Sequence, residues 1–204
     1  MAPATRHTGT FSRTCGRSNF PTPGETSGAK LPSPWKDFLG EIDRALEKPL
    51  EIHCIGGFAL VFYYGIPRTT GDIDYYTAVP ADINLEAIAG YDSDLHRKYK
   101  IYLHRVTVTT LPEECEERLS EMAPGQFERL RLLVPDPYDY ILSKLQSAAL
   151  KDYDDASFLF QSRRLKSELL RERYRQELRD YLIGPPDQHD ETLERWLEIF
   201  ESRR

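Results

Sequence analysis

The chain has 204 residues, 40% of them hydrophobic and 29% charged, which is enough for one folded domain or one domain with a small helical appendage. Its formal net charge of −6 excludes a strongly basic nucleic-acid coat, and no apolar run is long enough to span a membrane, so we expect no membrane partner. The three cysteines lack metal-type spacing and the five histidines are scattered, which argues against a disulfide scaffold and a zinc site. We therefore expect a cytoplasmic globular protein.

Residues 1–32 are predicted to be a disordered tail. The segment is rich in Ser, Thr, Gly, Pro and Arg, and it has no apolar centre of the kind that a secretory signal needs. A transit peptide is the alternative, because the segment contains arginines and no acidic residue before Glu25.

Residues 33–134 alternate between helical and strand patterns, which predicts an α/β core. Apolar residues at three- and four-residue steps predict a first helix from Trp35 to Leu46. The further helices are predicted at 58–65, at 83–100 with a break near Gly90, and from Pro112 onward. The strands are predicted at 50–55, 72–79, 102–110 and 127–134.

Residues 135–204 are predicted to be a helical segment that follows the core and completes its site. Helical periodicity occurs at 138–160, 163–183 and 191–200, with G-P-P-D-Q as the break before the last stretch. Arginines alternate with glutamates in 163–183, which is typical of a salt-bridged, solvated helix; a face that contacts tRNA is the alternative. The predicted fold is therefore a mixed sheet with flanking helices, followed by C-terminal helices.

Two aspartates lie on one predicted strand, D-I-D-Y-Y-T-A-V. Side chains alternate between the faces of a strand, so Asp72 and Asp74 share a face while Ile73 points into the core. Their Cα atoms are expected about 6.5 Å apart, and the two carboxylates repel each other unless a cation lies between them. Mg²⁺ fits such a pair because it takes one or two carboxylates and fills its remaining positions with water and phosphate oxygens. The alternative is a solvated strand start beside a turn at Gly71.

Gly56 and Gly57 stand between a predicted strand and a predicted helix. A glycine pair at this position lets the backbone approach a ligand closely and exposes the N–H groups of the helix start, where phosphate binds well. A tight turn with no ligand is the alternative. The order strand, Gly-Gly, helix, D-x-D favours a joint interpretation, in which the glycines cradle the same phosphates that the metal contacts.

The stretch G-G-F-A-L-V-F-Y-Y-G-I-P-R-T-T-G-D-I-D, residues 56–74, resembles the nucleotidyltransferase superfamily. Its R-x-T-x-D-x-D form is similar to the branch that contains abortive-infection type toxins of bacterial toxin–antitoxin systems. A second block, D-P-Y-D-Y-I-L-S-K-L-Q-S-A-A-L-K-D-Y-D-D-A-S-F-L at 136–159, is similar to the second block of that branch. The resemblance covers residues 52–159.

The resemblance implies a site formed by the glycine turn, the R-x-T-x-D-x-D stretch and the helical half. It assigns nucleotide binding to Gly56, Gly57, Arg68, Thr70, Lys144 and Asp152. It assigns catalysis to Asp72, Asp74, Lys144 and Asp155, with Mg²⁺ held by Asp72 and Asp74. Without the resemblance, Lys144 is a surface lysine on an amphipathic helix, and the aspartates at 152, 154 and 155 include a helix N-cap.

The implied activity is the Mg²⁺-dependent transfer of a nucleoside monophosphate from a nucleoside triphosphate to an acceptor, with release of pyrophosphate. By resemblance the acceptor is a tRNA end or a protein hydroxyl, and the protein is a toxin with a cognate antitoxin. Many superfamily members place a third carboxylate on a later strand, but the strand at 102–110 presents threonines and His104 instead. Either Glu128, a helical aspartate or His104 substitutes, or the protein is a catalytically silent module that binds nucleotides or proteins.

Overall fold

The computed structural model describes residues 30–147 and 149–203. The predicted tail lies almost entirely outside these residues, and the predicted division of the chain after residue 134 stays a prediction. The α-helices in this part of the chain are α1 (Trp35–Ala45), α2 (Gly56–Phe62), α3 (Leu85–Ala89), α4 (Asp94–Tyr99), α5 (Pro137–Ser143), α6 (Leu150–Ser162), α7 (Ser167–Arg173) and α8 (Pro186–Ser202). Within the described residues, no helix is long and apolar enough to cross a membrane.

The described residues form a sheet of five strands: β1 (Leu50–Ile55), β2 (Asp72–Val79), β3 (Tyr102–Arg105), β4 (Ser120–Met122) and β5 (Leu130–Val134). Their spatial order is β3-β2-β1-β5-β4, with β1–β2 and β4–β5 antiparallel and β1–β5 and β2–β3 parallel. The prediction of an α/β fold with a mixed sheet, flanking helices and C-terminal helices is confirmed.

The central strand β1 positions the site. It pairs on both sides, and five of its six residues are buried, which agrees with the predominance of apolar residues in its sequence. Ile55, its last residue, lies opposite Asp74 on β2, and the chain enters α2 at the next residue. The start of α2 therefore lies beside the aspartates of β2.

The helical half packs into the same core as the sheet. One continuous cluster of buried side chains includes Phe38 on α1, Ile73 on β2, Ile141 on α5 and Phe200 on α8, none of them measurably exposed. Burial of this shared apolar surface fixes the C-terminal helices against the strands.

The predicted strand at 102–110 is too long. Val106 N–H still donates to Tyr75 C=O, at 2.8 Å, but the strand ends at Arg105 and Val108 is 69% exposed. The chain turns instead toward the helical half, where Thr110 Oγ1 donates to Gln146 Oε1. The Val/Thr alternation is thus typical of extended backbone, but it does not show whether that backbone has a strand partner.

The predicted helix from Pro112 onward is wrong. The segment forms a short 3₁₀ turn, Cys115–Arg118, and then β4, which pairs with β5. The Arg118 side chain forms ion pairs with Asp139 and Glu177. These tertiary contacts override the local helical preference of an acid-rich segment.

The predicted helix at 138–160 is two helices. Helix α5 ends at Ser143 with Lys144 as its C-cap, and α6 begins at Leu150 after an extended Ala149. The break contains neither glycine nor proline, so the sequence carries no signal for it. The aspartate N-cap, offered as the alternative for residues 152, 154 and 155, is wrong, because the N-cap residue of α6 is Ala149.

At the end of the sheet away from the start of α2, the Asp43 side chain connects α1 to the start of β5. Its carboxylate accepts the backbone N–H groups of Glu128, Arg129 and Leu130 at 3.1, 2.7 and 2.8 Å. Burial raises the pKa of this carboxyl, but the three N–H donors outweigh burial, and its pKa is lowered overall.

We predict that Asp43→Ala lowers the free energy of unfolding by about 2–4 kcal/mol at pH 7, because buried N–H groups lose their acceptor. The folded-state pKa is depressed, so the stabilisation is present above the unfolded-state pKa and is lost as the pH falls through the folded-state value, below about pH 4. Urea unfolding from pH 3 to pH 7 measures both effects. The exposed Asp37→Ala on the same helix is the control; a similar loss in that variant would contradict the assignment.

Candidate functional site

The two glycines of the predicted phosphate cradle form the first turn of α2. Gly56 has a φ of +72°, and a Cβ at this position would lie 2.1 Å from Asp74 Oδ2. A Cβ on Gly57 would lie 2.8 Å from Thr70 Oγ1 and 3.2 Å from Arg68 Nη2. Each glycine therefore permits a close approach of the backbone to side chains that the sequence assigns to the site.

The two aspartates of β2 share the face that meets this turn. Thr70 Oγ1 donates to Asp72 Oδ1 at 3.2 Å, and the Tyr102 hydroxyl lies 3.5 Å from Asp72 Oδ2. On the neighbouring strand, His104 lies opposite Asp74, and its Nδ1 is 2.9 Å from Asp74 Oδ1. Side chains of β3 and of the loop that precedes β2 thus orient both carboxylates.

Asp74 is held in an environment that disfavours its charge. Burial raises the pKa of this carboxyl, and the neighbouring Asp72 carboxylate raises it further. The hydrogen bond with His104 and the charge of Lys144 act in the opposite direction without cancelling the rise. A cation beside Asp74 would remove this destabilisation.

The residues present fit one divalent ion. Asp72 and Asp74 provide two carboxylates on one face, and Mg²⁺ requires no more protein ligands when phosphate and water supply the rest. Among residues 30–147 and 149–203 there is no group of three or more His, Cys, Asp or Glu able to hold a metal by themselves. The pair therefore suits an ion that arrives with a phosphate ligand rather than a closed protein cage.

Lys144 reaches the site from the end of α5. Its Nζ lies 3.1 Å from Asp152 Oδ1 and 5.3 Å from the centre of the Tyr140 ring. Burial raises the pKa of Asp152, but the Ser147 hydroxyl, which donates to this carboxylate, and the Lys144 charge lower it overall. The lysine is thus held by an ionised partner and is not a free surface lysine.

A cavity of about 300 Å³ lies between the two halves at this point. Gly56, Asp74 and Lys144 line it together, with Val106 and Thr109 on the segment after β3. The glycine turn, one carboxylate and the ammonium thus face one space.

Arg68 and Asp155 form a partly buried ion pair across the two halves. Arg68 Nη1 donates to both carboxylate oxygens of Asp155, at 2.8 and 3.1 Å, while Nη2 faces Gly57. Burial raises the pKa of Asp155, and the Arg68 charge opposes this rise. Asp155, which is 5% exposed, thus meets the glycine turn through Arg68 rather than directly.

Glu128 does not join the two aspartates of β2 as a third carboxylate. Its side chain is 76% exposed, and it precedes β5, whose first residue lies opposite Leu50 at the start of β1. Glu128 is therefore at the end of the sheet opposite Gly56. His104, in contrast, contacts Asp74 directly.

Three arginines of the stretch 163–183 form ion pairs with acidic side chains. Arg171 pairs with Glu194, and Arg179 pairs with Asp190. Arg173 pairs with Asp136 at 2.7 Å. These contacts agree with the salt-bridged helix that the alternation of arginine and glutamate predicts.

Residues 38–204 match a family described as "Nucleotidyltransferase of unknown function (DUF6036)". The chain belongs to this nucleotidyltransferase family. The match includes the glycine turn, both aspartates of β2 and all of the helical half. Comparisons with curated proteins and with solved structures give no significant match.

The sequence did not indicate three residues whose hydroxyl groups contact the candidate site: Tyr102, Tyr140 and Ser147. Tyr102 and Tyr140 read as apolar residues of a strand and a helix, and only the tertiary structure directs their hydroxyls to Asp72 and Gly56. Ser147 lies in the break between helices that the periodicity did not predict.

We predict that Gly56→Ala weakens triphosphate binding by about tenfold or more, since the added Cβ displaces the Asp74 carboxylate. The left-handed backbone at this residue also destabilises alanine, by about 1–2 kcal/mol. Calorimetric titration and urea unfolding measure the two effects. Gly71→Ala is the matched control, because no atom lies within 4 Å of a Cβ there; equal binding by the Gly56→Ala and wild-type proteins would contradict the assignment.

Proposed function

We propose that this protein transfers a nucleoside monophosphate from a nucleoside triphosphate to an acceptor, with release of pyrophosphate, in a Mg²⁺-dependent reaction. The observation that carries the proposal is the approach of Gly56 to Asp74, which leaves no room for a Cβ. A backbone turn suited to phosphate thereby lies against a carboxylate suited to a cation. Membership of the nucleotidyltransferase family supports the same chemistry.

Each part of the site has a proposed task. The backbone of Gly56 and Gly57 cradles the triphosphate, with Arg68 and Thr70 holding the turn in place. Lys144 provides a point charge for a phosphate, and Asp152 keeps it over the cavity. Asp155 fixes the Arg68 guanidinium.

Asp72 and Asp74 are the proposed Mg²⁺ ligands. An ion held by these two carboxylates would supply positive charge to offset the negative charge of the transferred group and to lower the pKa of the attacking oxygen. The two carboxylates repel each other, and the pKa of Asp74 is raised. A cation that enters with the triphosphate would therefore stabilise the ionised form of both side chains.

The acceptor that we propose is a tRNA end or a protein hydroxyl, and the biological role is that of a toxin with a cognate antitoxin. Both rest on the resemblance of the stretch from Arg68 to Asp74 and of residues 136–159 to the abortive-infection branch. A cytoplasmic location accords with this role.

A second candidate is a catalytically silent module that binds nucleotides or proteins. The observation in its favour is that no third carboxylate joins Asp72 and Asp74 among the residues that the structure describes. His104, at the position facing Asp74, is the remaining side chain that could assist an acceptor hydroxyl.

Asp74→Asn separates the two candidates. The substitution keeps the side-chain shape and removes the charge, so we predict a loss of nucleotidyl transfer of about 100-fold or more. The measurement incubates the protein with each labelled triphosphate, Mg²⁺ and total tRNA or cell lysate. The exposed Asp154→Asn is the control and retains activity. Wild-type protein that binds triphosphates but labels nothing would establish the silent module.

The same variant has a pH-dependent effect on stability. The folded-state pKa of Asp74 is raised, so ionisation of this group opposes folding above that pKa, and the cost disappears as the pH falls below the unfolded-state value. We therefore predict that metal-free Asp74→Asn is more stable than wild type at pH 7 and not at pH 3. Thermal unfolding in EDTA at both values measures this; a variant less stable at pH 7 would contradict the description of Asp74.

A further inference from the structure

Tyr140, on α5, has no task in the proposed function, yet it contacts two parts of the site. The side chain is fully buried, and its hydroxyl donates to the Gly56 carbonyl oxygen at 2.9 Å. The Nζ of Lys144, one turn further along the chain, lies 5.3 Å from the centre of the same ring. A single side chain thus contacts the backbone of the glycine turn and the ammonium of the lysine.

The hydroxyl contact controls the direction of a peptide group. The peptide unit between Gly56 and Gly57 is planar and trans, so its C=O and N–H point in opposite directions. A donor that fixes the Gly56 carbonyl therefore also fixes the direction of the Gly57 N–H. Glycine has the widest backbone freedom of any residue, so this turn benefits most from an external hydrogen bond.

The ring contact controls a charge. An ammonium within about 6 Å of an aromatic centroid is attracted to the ring face, and the attraction is larger where water is excluded. Lys144 has a long flexible side chain, and the Tyr140 ring and the Asp152 carboxylate are the groups that hold its Nζ beside the cavity.

We propose that Tyr140 is a positioning residue that sets the Gly56–Gly57 turn and the Lys144 ammonium relative to each other for one triphosphate. The inference rests on the proposed function of the site. This positioning role explains why a tyrosine occupies a buried helix position where an aliphatic residue would also fill the space. The tyrosine hydroxyl donates to a backbone carbonyl, and its ring contacts an ammonium group.

Tyr140→Phe removes the hydroxyl and keeps the ring. We expect it to weaken the binding of inorganic tripolyphosphate in Mg²⁺ by about three- to tenfold, as measured by calorimetric titration of the full chain. Tyr64→Phe is the matched control, because Tyr64 is equally buried and its hydroxyl also donates to a backbone carbonyl, that of Pro135. Both variants lower the thermal midpoint to a similar extent, but only Tyr140→Phe changes tripolyphosphate affinity.

The substitution Lys144→Ala, made in wild type, in Tyr140→Phe and in Tyr140→Leu, tests whether the Tyr140 ring positions the ammonium. We expect its effect on tripolyphosphate affinity to be the same in wild type and in Tyr140→Phe, which both keep the ring. The effect should be smaller in Tyr140→Leu, where the ammonium has lost its aromatic support. A merely structural role for Tyr140 would leave the effect of Lys144→Ala unchanged in all three.

The outcomes separate this inference from the proposed function. If wild type binds tripolyphosphate and Tyr140→Phe binds it equally well, the positioning role is wrong while the site stands. If Tyr64→Phe loses as much affinity as Tyr140→Phe, the effect comes from the packing that the two neighbouring tyrosines share, and the specific contact with Gly56 is wrong. If wild type binds neither tripolyphosphate nor any nucleoside triphosphate, the proposed function fails and the inference fails with it.

Discussion

The approach of the Gly56 backbone to the Asp74 carboxylate is the contact on which the candidate site depends. Gly56 adopts a left-handed φ, and the space that a Cβ would fill is occupied by Asp74 Oδ2. The antiparallel pairing of Ile55 with Asp74 creates this approach, because it places the last residue of β1 beside the D-x-D of β2. The glycine turn and the carboxylate pair, about 18 residues apart in sequence, thus become adjacent.

The helical half is attached to this contact at two points. The Tyr140 hydroxyl binds the Gly56 carbonyl, and Asp155 binds the Arg68 guanidinium that faces Gly57. Lys144 enters between these points, at the end of α5. The same helices pack into one core with the sheet, so the fold fixes the position from which Lys144 enters the site.

Much of this arrangement was predictable from the sequence because it follows from local rules. The period of two in D-I-D places Asp72 and Asp74 on one face, and a glycine pair between a strand and a helix indicates an exposed helix start. The break between α5 and α6 was not predictable, since most of its residues are good helix formers and no glycine or proline marks the extended Ala149. The ion pair of Asp155 with Arg68 was not predictable either, because a contact between residues 87 positions apart leaves no periodic pattern in the sequence. Local patterns therefore identified the carboxylates and the turn, while long-range contacts decided how the helical half meets them.

The central claim is that Asp72, Asp74 and the glycine turn hold one metal–triphosphate unit. The most direct measurement is a crystal structure with Mn²⁺ and a non-hydrolysable nucleoside triphosphate, in which anomalous scattering locates the ion. The account predicts one anomalous peak within bonding distance of carboxylate oxygens of both Asp72 and Asp74, with the phosphates against the backbone of Gly56 and Gly57. An ion bound away from the two aspartates, or a triphosphate bound elsewhere on the chain, would contradict it.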